Sequence, residues 1–407
     1  MSEQNNEKRA LAPRLRFSGF EGKVPTLPLS AIADLVSEKI GIDQLTSKQY
    51  VSTENLLPDF GGMSPIGKLP SVSSVTCFRP KDILVSNIRP YLKKVWQSNI
   101  YGGVSNDVLV VRSKDNISAD YLSAILRSDL FIDYVMRSAK GVKMPRGEIS
   151  MIQEFPVPCI HEDEQRKIAD CLSSLDDLIA AETQKLVALK IHKNGLMQNL
   201  FPREGESSPR LRFREFRKTG GWAKVAAGQF FLNKTERGNS SLPIYSVTMT
   251  DGLVPRALLD RRIDDIAESS ANKTVRKGNI AYNMMRMWQG ALGVAPEDCM
   301  VSPAYVVLEP QGVNAFFFYF LLKLPQTLQV LTAHSRGLTE DRLRLYYEDF
   351  AKIPLLCPSL PEQERIAACL TAIDRLITAQ GHKIDRLKAH KKGLMQRLFP
   401  ALDEVAA

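Results

Sequence analysis

The fold is decided by one stretch of sequence that occurs twice. It reads EQRKIADCLSSLDDLIAAETQKLVALKIHKNGLMQNLFP over residues 164–202 and EQERIAACLTAIDRLITAQGHKIDRLKAHKKGLMQRLFP over residues 362–400. About 22 of the 39 aligned positions are identical, and no gap is needed. A shorter match, PRLRF, precedes each copy at residues 13–17 and 209–213. A repeat of this length indicates duplication of a whole domain with the segment that follows it, not the short period of a solenoid.

Apolar residues recur in both copies at alternating steps of four and three. In the first copy they are Ile168, Leu172, Leu175, Ile179, Leu186, Leu189, Leu196 and Leu200. In the second they are Ile366, Leu370, Ile373, Ile377, Ile384, Leu387, Leu394 and Leu398. Both series are interrupted at the same two steps, by Glu182 and Lys193 and by Gln380 and Lys391. A seven-residue seam of this kind predicts a helix that buries a narrow stripe against a partner helix.

Prolines mark the ends of these predicted helices. Pro361 suits the first turn of the second helix, and Phe-Pro at 201–202 and 399–400 ends each helix. A helix of about 38 residues is roughly 57 Å long, too long to be hidden in a small domain. We therefore expect the two helices to pack on each other as a coiled coil. The alternative is that each lies separately on its own domain.

Two less similar segments, residues 13–158 and 209–356, stand in front of the helices. They share faint parallels in the same order: KDILVSN at 81–87 with KGNIAYN at 277–283, strands at 107–111 and 303–307, and helices at 121–136 and 314–332. Each segment is predicted to be a mixed α/β domain. The predicted order is a first domain at 1–158, a helix at 159–205, a second domain at 206–356 and a helix at 357–407, a pseudo-twofold internal repeat.

Composition limits the classes of protein. The 407 residues include 44% hydrophobic and 24% charged residues, with 54 Lys and Arg against 45 Asp and Glu. The net charge of +9 is compatible with a polyanionic partner. No apolar run approaches the length of a membrane span, and the N-terminus lacks a signal-peptide pattern. The six cysteines are scattered, without a C-x-x-C pair. We expect a cytoplasmic protein that does not contact a membrane.

No constellation of catalytic residues is present in the sequence. It contains no G-x-G-x-x-G, no G-x-x-x-x-G-K-[ST] and no H-E-x-x-H, and its five histidines are dispersed. We therefore expect no catalytic residue, no metal site and no cofactor in this chain. A fused methyltransferase or nuclease is disfavoured by the missing cofactor loop. A stand-alone DNA-binding protein such as a repressor, and a two-domain adaptor that binds no DNA, remain alternatives.

The order domain–helix–domain–helix resembles the specificity subunit of type I restriction–modification systems. The resemblance rests on the PRLRF openings, the LPEQERI helix opening at 360–366 and the GLMQ-x-LFP helix endings at 195–202 and 393–400. Residues 245–248, 252–255, 278–294 and 302–305 look like one recurrent type of target-recognition domain, and residues 81–91 with Gly103 and Ser105 look like another. The family often has a tryptophan shortly after the PRLRF opening. The second copy follows this pattern with Trp222, whereas the first copy has Val24 or Pro25 nearby.

This resemblance implies a non-catalytic subunit that binds double-stranded DNA. Each target-recognition domain would read one half of a split, asymmetric target, and the helices would form an antiparallel rod that sets the gap. Two methyltransferase subunits with S-adenosylmethionine would dock on this scaffold. Motor–endonuclease subunits that use ATP and Mg would join them. The outer apolar positions Leu178 and Leu376 are candidates for docking of the methyltransferase subunits.

Candidate DNA contacts are polar, basic stretches outside the predicted elements. They cover residues 47–55, 87–94 and 139–146 in the first domain and 233–241, 283–289 and 334–344 in the second. Arginine forms bidentate pairs with guanine and Asn or Gln with adenine, whereas Lys and Arg bind phosphate. The base-reading candidates are Asn87, Arg89, Arg146, Arg286, Gln289 and Arg336. The remaining candidates are Lys93, Lys140, Lys143 and Arg342, the last three as phosphate contacts.

Overall fold

The computed structural model of the chain describes residues 10–11, 13–64, 67–259, 269–339 and 342–399. These form two compact units, Met1–Thr183 with His382–Ala407, and Gln184–Gly381. Each long helix therefore contributes one half to each unit. Pro400, predicted to help end the second helix, and the N-terminal residues 1–9 lie outside the described residues.

The first unit combines three small sheets with four short helices and halves of both long helices. Its strands are β1 Ala10–Leu11, β2 Val24–Pro28, β3 Ala33–Leu35, β4 Lys39–Gly41, β5 Tyr50–Val51, β6 Ser74–Phe78, β7 Ile83–Ser86, β8 Val95–Gln97, β9 Gly102–Val104, β10 Val108–Ser113 and β11 Pro156–Pro158. Its short helices are α1 Leu29–Ile32, α2 Ala119–Leu126, α3 Asp129–Arg137 and α4 Ile149–Gln153, and α5 Glu162–Leu200 starts here. The sheets have the orders β1-β2-β11, β3-β10-β7-β8 and β4-β6-β9-β5.

The second unit repeats the central part of this arrangement. Its strands are β12 Ala223–Ala226, β13 Phe231–Lys234, β14 Tyr245–Val247, β15 Leu253–Pro255, β16 Lys273–Val275, β17 Ile280–Asn283, β18 Leu292–Val294, β19 Cys299–Val301, β20 Tyr305–Pro310 and β21 Pro354–Cys357. Its helices are α6 Ala315–Leu322, α7 Pro325–Ala333, α8 Tyr347–Phe350 and α9 Leu360–Leu398. The four-stranded sheet β13-β20-β17-β18 has the same order as β3-β10-β7-β8. The mixed helix and sheet content of both predicted domains is confirmed.

The two four-stranded sheets also share their register. Ile83 pairs with Val111 in the first unit, and Ile280 pairs with Leu308 in the second. All four side chains are buried. The structure therefore aligns Ile83 with Ile280, one residue away from the alignment of 81–87 with 277–283 predicted from the sequence. The strands predicted at 107–111 and 303–307 are confirmed as β10 and β20, the second beginning two residues later than predicted.

The single helices predicted at 121–136 and 314–332 are wrong, because each segment forms two helices. In the first unit the Ser128 hydroxyl accepts a hydrogen bond from the Phe131 amide at 3.3 Å and begins α3. In the second unit Pro325 begins α7, after Leu324 in an extended conformation. A capping serine starts a new helix because its hydroxyl accepts a hydrogen bond from a free amide of the first turn. A proline can start a helix because it has no amide hydrogen to leave unpaired there.

The two long helices, α5 and α9, are each 39 residues long and begin two residues before the repeated stretch. Helix α5 ends at Leu200, directly before Phe201-Pro202, as predicted. Seam residues are buried or half-buried along both helices, whereas the remaining positions are mostly exposed. The amphipathic helices predicted from the seven-residue seam are thus present.

Helix endings complete the hydrophobic cores. In the first unit, Leu398 and Phe399 at the end of α9 are buried, and the Phe399 ring lies 6.1 Å from that of Tyr121. In the second unit, Phe201 after α5 lies 6.0 Å from the Trp222 ring and 5.4 Å from that of Phe317. The repeated Leu-Phe ending is therefore an apolar anchor in each unit.

Candidate nucleic-acid interface and helix seam

The repeated PRLRF motif holds the start of each long helix. In the second unit, Arg212 donates from Nε and Nη2 to the two carboxylate oxygens of Glu362, both at 2.7 Å. In the first unit, Arg16 forms the same pair with Glu164. Both glutamate side chains are almost completely buried. The hydrogen bonds from arginine raise the pKa of the Arg16 and Arg212 guanidinium groups, despite opposing burial.

The glutamine that follows each of these glutamates holds the neighbouring domain. The Gln165 side-chain oxygen accepts a hydrogen bond from the Ser118 amide at 2.8 Å, and Ser118 is the N-cap of α2. The Gln363 oxygen accepts from the Asn314 amide at 2.9 Å, and Asn314 is the N-cap of α6. The Glu-Gln opening of each long helix therefore fixes both the domain's first residues and its first main helix.

Three of the four interruptions of the seam, Glu182, Lys193 and Lys391, form ion pairs between the two long helices. In the first unit Lys391 Nζ lies 2.6 Å from Asp176 Oδ1, and in the second Lys193 Nζ lies 2.5 Å from Asp374 Oδ1. These pairs occupy equivalent positions of the repeat. A third pair joins Lys383 to Glu182. The sequence pattern shows the interrupted steps but does not mark Asp176 and Asp374, since neither aspartate lies at a seam position.

Each repeated pair has a third charged group from the adjacent domain. In the first unit, Arg127, the C-cap of α2, lies 3.3 Å from Asp176. Its equivalent in the second unit is Lys323, the C-cap of α6. Burial, and to a lesser extent the nearby Lys193, lower the pKa of Lys323 to about 8 against the attraction of Asp374.

Two of the predicted DNA-contact stretches lie together in the first unit. The loop at 87–94 contacts the hairpin at 139–146, because the Arg89 amide donates to the Pro145 carbonyl at 2.8 Å and Ile88 pairs with Arg146. The third stretch, 47–55, joins them through Lys94 Nζ, which donates to the Thr53 carbonyl at 2.6 Å. The three segments thus form one surface, which we call the first loop–hairpin surface.

The predicted residues on this surface differ in their availability. Arg89 is exposed and has a left-handed backbone with φ of 50°. Lys93 also has a positive φ and pairs with Asp129 at 2.6 Å. Burial opposes ionisation of Asp129, yet hydrogen bonds from Lys392 and Lys93 outweigh it and lower its pKa. Asn87 is half-buried and its Oδ1 is inaccessible, so a bidentate pair with adenine requires that side chain to move.

The hairpin itself carries three of the predicted basic residues. Lys140 and Arg146 exchange backbone hydrogen bonds of 3.0 and 2.9 Å across it. Their side chains reach outward, Lys140 to Glu148 at 2.8 Å and Arg146 to Asp107 at 2.9 Å. These pairs are solvent-exposed and therefore weak, so a phosphate can replace the carboxylates. Lys143 is exposed at the hairpin turn.

The second unit brings the equivalent segments together. The Leu345 amide donates to the Met284 carbonyl at 3.0 Å, which joins the loop at 283–289 to the hairpin at 336–344. Arg336 Nη2 donates to Asp349 Oδ1 at 2.9 Å, and the hydrogen bonding between these side chains raises the pKa of Arg336 and lowers that of Asp349. The other predicted residues of this second loop–hairpin surface are exposed: Arg286, Gln289 and Arg342.

The stretch at 233–241 lies elsewhere in the second unit. It begins within β13 and continues alongside β16, where Arg237 pairs with Lys273. Its Glu236 forms an ion pair with Arg276, which also binds Asp298 at 2.7 Å. These contacts raise the pKa of Arg276. The structure therefore joins five of the six predicted stretches into two surfaces, whereas the contacts of this sixth stretch run to β16 and to Arg276.

Comparison with known proteins decides the family. The family model described as "Type I restriction modification DNA specificity domain" matches residues 74–190 and 214–389, most of the chain. The chain belongs to this family. Its function is DNA sequence specificity in a type I restriction–modification system. Specificity subunits are the non-catalytic, DNA-recognising subunits of these systems, so its partners are DNA and other subunits of the complex.

Similar proteins carry the same description. The type I restriction enzyme MjaVIII specificity subunit of Methanocaldococcus jannaschii is 22% identical over 316 residues, 73% of each chain. The putative type I restriction enzyme MjaX specificity subunit of the same organism is 25% identical over 326 residues, 72% of this chain and 70% of the relative. These matches agree with the resemblance inferred from the sequence.

Solved structures share the fold. The S subunit of a type I restriction–modification system from M. genitalium matches with a TM-score of 0.60 at 14% identity, over 96% of this chain and 99% of that chain. A chain in a structure that addresses complex assembly and conformational transition of the type I R-M system matches with a TM-score of 0.56 at 20% identity. The match covers 93% of this chain and 99% of that chain. In the described part of the chain no helix is long and apolar enough to cross a membrane, and no cluster of metal-ligating side chains occurs.

Proposed function

We propose that each loop–hairpin surface reads one half of a bipartite, asymmetric DNA target. The single observation that carries the proposal is the equivalence of the two surfaces: in each unit a basic loop after a buried strand contacts a basic hairpin. Exposed cations supply affinity for phosphate, and side chains in the loops read base edges. Because the hairpin sequences differ, KGVKMPR against RGLTEDRLR, the two half-targets differ as well.

The proposed ruler between the half-targets is an antiparallel coiled coil of α5 and α9. Support comes from the cross-helix pairs Asp176–Lys391 and Asp374–Lys193, in which each helix offers its earlier aspartate and its later lysine. A helix of 39 residues is about 58 Å long. Half-sites on one face of B-DNA are about 34 Å apart per helical turn, so such a rod spans at least one turn. The pseudo-twofold relation of the two halves belongs to the same proposal.

The chemistry is proposed to lie on other subunits. Two methyltransferase subunits with S-adenosylmethionine would dock near the exposed Leu178 and Leu376, and motor–endonuclease subunits would use ATP and Mg. Leu178 and Leu376 are 41% and 56% exposed, which favours docking over helix pairing. Two apolar side chains at equivalent outer positions suit a partner present in two copies. A cytoplasmic location follows from this function and stays a prediction.

Mapping N6-methyladenine across the host genome, with and without this chain, tests the proposal. The expected result is methylation at a gapped, asymmetric sequence that disappears when the chain is deleted. A stand-alone DNA-binding protein or an adaptor would leave the methylation pattern unchanged. Methyl transfer by the isolated chain would point instead to a fused enzyme.

A further inference from the structure

Each hairpin of the two loop–hairpin surfaces carries a fully exposed apolar side chain near its start. Val142 is 102% exposed and Leu338 is 99% exposed, more than any other large apolar residue in the described chain; the next is Leu258 at 77%. A single exposed apolar residue is ordinary on a protein surface. Two in equivalent places, each two residues after the first residue of the bridged pair that closes a hairpin, require an explanation.

The two hairpins begin alike, although the bridged pairs enclose five residues in the first unit and seven in the second. Lys140-Gly141-Val142 and Arg336-Gly337-Leu338 occupy equivalent positions, and Lys140 and Arg336 each begin the bridged pair that closes the hairpin. Gly141 has a φ of 105° and Gly337 a φ of 152°. A Cβ at Gly337 would lie 2.6 Å from the Arg342 carbonyl oxygen. Glycine is therefore required just before the tip, which directs the next side chain away from the domain.

Basic residues flank each apolar tip. In the first unit these are Lys140 and Lys143, and in the second they are Arg336 and Arg342, all exposed. In the second hairpin Glu340 and Asp341 stand between Leu338 and Arg342 in the sequence, so the excess of positive charge is larger in the first hairpin. Cations on both sides of an apolar point match a duplex groove, in which phosphates line the edges and bases form the floor. Proteins that bind the minor groove frequently insert apolar side chains between base steps and partly unstack them.

We propose that Val142 and Leu338 are wedges that insert between base pairs, one in each half of the DNA target. The inference rests on the proposed DNA-reading function and adds the residues that deform the duplex. Each tip contributes specificity by indirect readout, because the energy needed to unstack a step depends on the bases in that step. The flanking cations hold the hairpin in the groove, and the wedge selects the step.

The test uses the full chain with its methyltransferase subunits. Duplexes of about 40 base pairs are selected by the wild-type complex from a randomised pool, and 2-aminopurine is placed at successive steps of the selected sequence. We expect fluorescence to rise at one step in each half on binding. Val142→Ala should abolish the rise in one half and Leu338→Ala in the other, each with about a tenfold loss of affinity for the selected duplex. Leu258→Ala and Val187→Ala, at exposed sites outside the hairpins, should change neither quantity.

Charge and shape are separated by two further variants. Val142→Lys should strengthen binding to an unselected duplex yet abolish the fluorescence rise, whereas Leu338→Met should retain it. Unchanged fluorescence and affinity in both alanine variants would overturn the wedge while leaving DNA reading intact. Loss of methyltransferase co-purification with normal DNA binding would overturn it in favour of a protein contact. A wild-type complex that selects no duplex would remove the proposed function, and this inference with it.

Discussion

Lys391 Nζ contacts the Asp176 carboxylate at 2.6 Å and so joins the later half of α9 to the earlier half of α5. Burial lowers the pKa of Lys391, and Asp176 opposes that effect by attraction and by its hydrogen bond. The pair lies at an interruption of the apolar seam, and the Lys391 side chain is only 14% exposed. A register shifted by one heptad would separate Lys391 from Asp176 and break the matched Lys193–Asp374 pair of the second unit. The pair therefore selects one alignment of the two helices.

Removing the Asp176 carboxylate should show how much the ion pair with Lys391 contributes to the stability of the first unit. Asp176→Ala leaves Lys391 and Arg127 without their shared anion, and we expect a loss of about 2 kcal/mol, or about 5 °C in the melting temperature of the first unit. Differential scanning calorimetry measures this. Arg166→Ala, which breaks exposed pairs on the same helix, should cost less than about 0.5 kcal/mol. Equal effects of the two variants would contradict a special role of the Asp176 pair.

The PRLRF motif predicts a contrast between two arginines. Arg212→Ala should destabilise the second unit by about 3 kcal/mol, because the Glu362 carboxylate stays buried without its bidentate partner. Arg210, two residues earlier, makes only a long exposed contact of 3.9 Å with Glu206. Arg210→Ala should therefore change stability by less than about 0.5 kcal/mol. Chemical denaturation of the two variants makes the comparison, and a reversed order would refute this account of the motif.

We expect the lowered pKa of Lys323 to make the stability of the second unit depend on pH. Its pKa in the folded chain is lowered to about 8, chiefly by burial, whereas an unfolded lysine titrates near 10.5. Between these values the unfolded chain binds more protons, so stability contributed by this site rises as pH increases. Tyr319, whose hydroxyl lies 3.0 Å from Lys323 Nζ, has its pKa raised to about 12 by burial and does not titrate in this range.

The comparison variant is Lys323→Met, which lacks the titrating group. We expect the melting temperature of the wild type, relative to this variant, to rise between pH 8 and pH 10. At pH 6 to 7 the difference should be constant, because Lys323 is then charged in both the folded and the unfolded chain. A difference that stays flat from pH 7 to pH 10 would show that Lys323 has an ordinary pKa.

Phosphate binding by the first hairpin is testable through salt dependence. Lys143→Ala should weaken binding to all duplexes alike and reduce the slope of log affinity against log salt by about one. Lys190→Ala, on α5, serves as the matched exposed lysine and should leave the slope unchanged. An unchanged slope for Lys143→Ala would remove this residue from the interface.

Replacing a residue that reads bases should affect binding differently from replacing the phosphate contact Lys143. Arg336→Ala is expected to weaken binding of the cognate duplex by about 1 to 3 kcal/mol and to relax selectivity at one position. Its ion pair with Asp349 is exposed on the arginine side, so the guanidinium can exchange one partner for another. Gel-shift titration on cognate and single-substituted duplexes makes the measurement. An unaltered cognate affinity would leave Arg336 as a structural residue of the hairpin.

Local sequence signals predicted the long helices well. The seam indicated both long helices and the Phe-Pro ending marked where α5 ends, because periodicity and proline act on neighbouring residues. The spacer segments predicted at 159–205 and 357–407 are longer than the helices themselves, Glu162–Leu200 and Leu360–Leu398. The break at Ser128 was missed, since the apolar pattern continues through it and only the cap begins a new helix. Sheet order was beyond the sequence, because strands such as β3 and β10 are far apart along the chain.

Only part of the candidate interface was predicted from the sequence, because its assembly also depends on residues that are far apart along the chain. Composition marked the basic loops, but it did not show that the segment after Asn87 contacts the hairpin at Pro145, which depends on long-range pairing. Nor did it mark Val142 and Leu338, since single apolar residues in polar loops carry no pattern. Asp176 and Asp374 could have been found from the sequence by asking which acidic residues recur in register with the interrupting lysines.

The most direct test of the ruler is to lengthen it. One heptad that continues the seam is inserted into each long helix, between Thr183 and Gln184 and between Gly381 and His382, where the two compact units divide. Contacts within each unit are thereby preserved. About 10.5 Å is added, close to three base pairs of B-DNA. The same heptad inserted beside Gly205, in the polar linker, is the control.

Methylation mapping then reads the recognised gap. The account predicts that the doubly extended chain methylates the same two half-sequences separated by about three more base pairs, while the linker control keeps the original gap. Methylation of the original gapped sequence by a folded, doubly extended chain would contradict it.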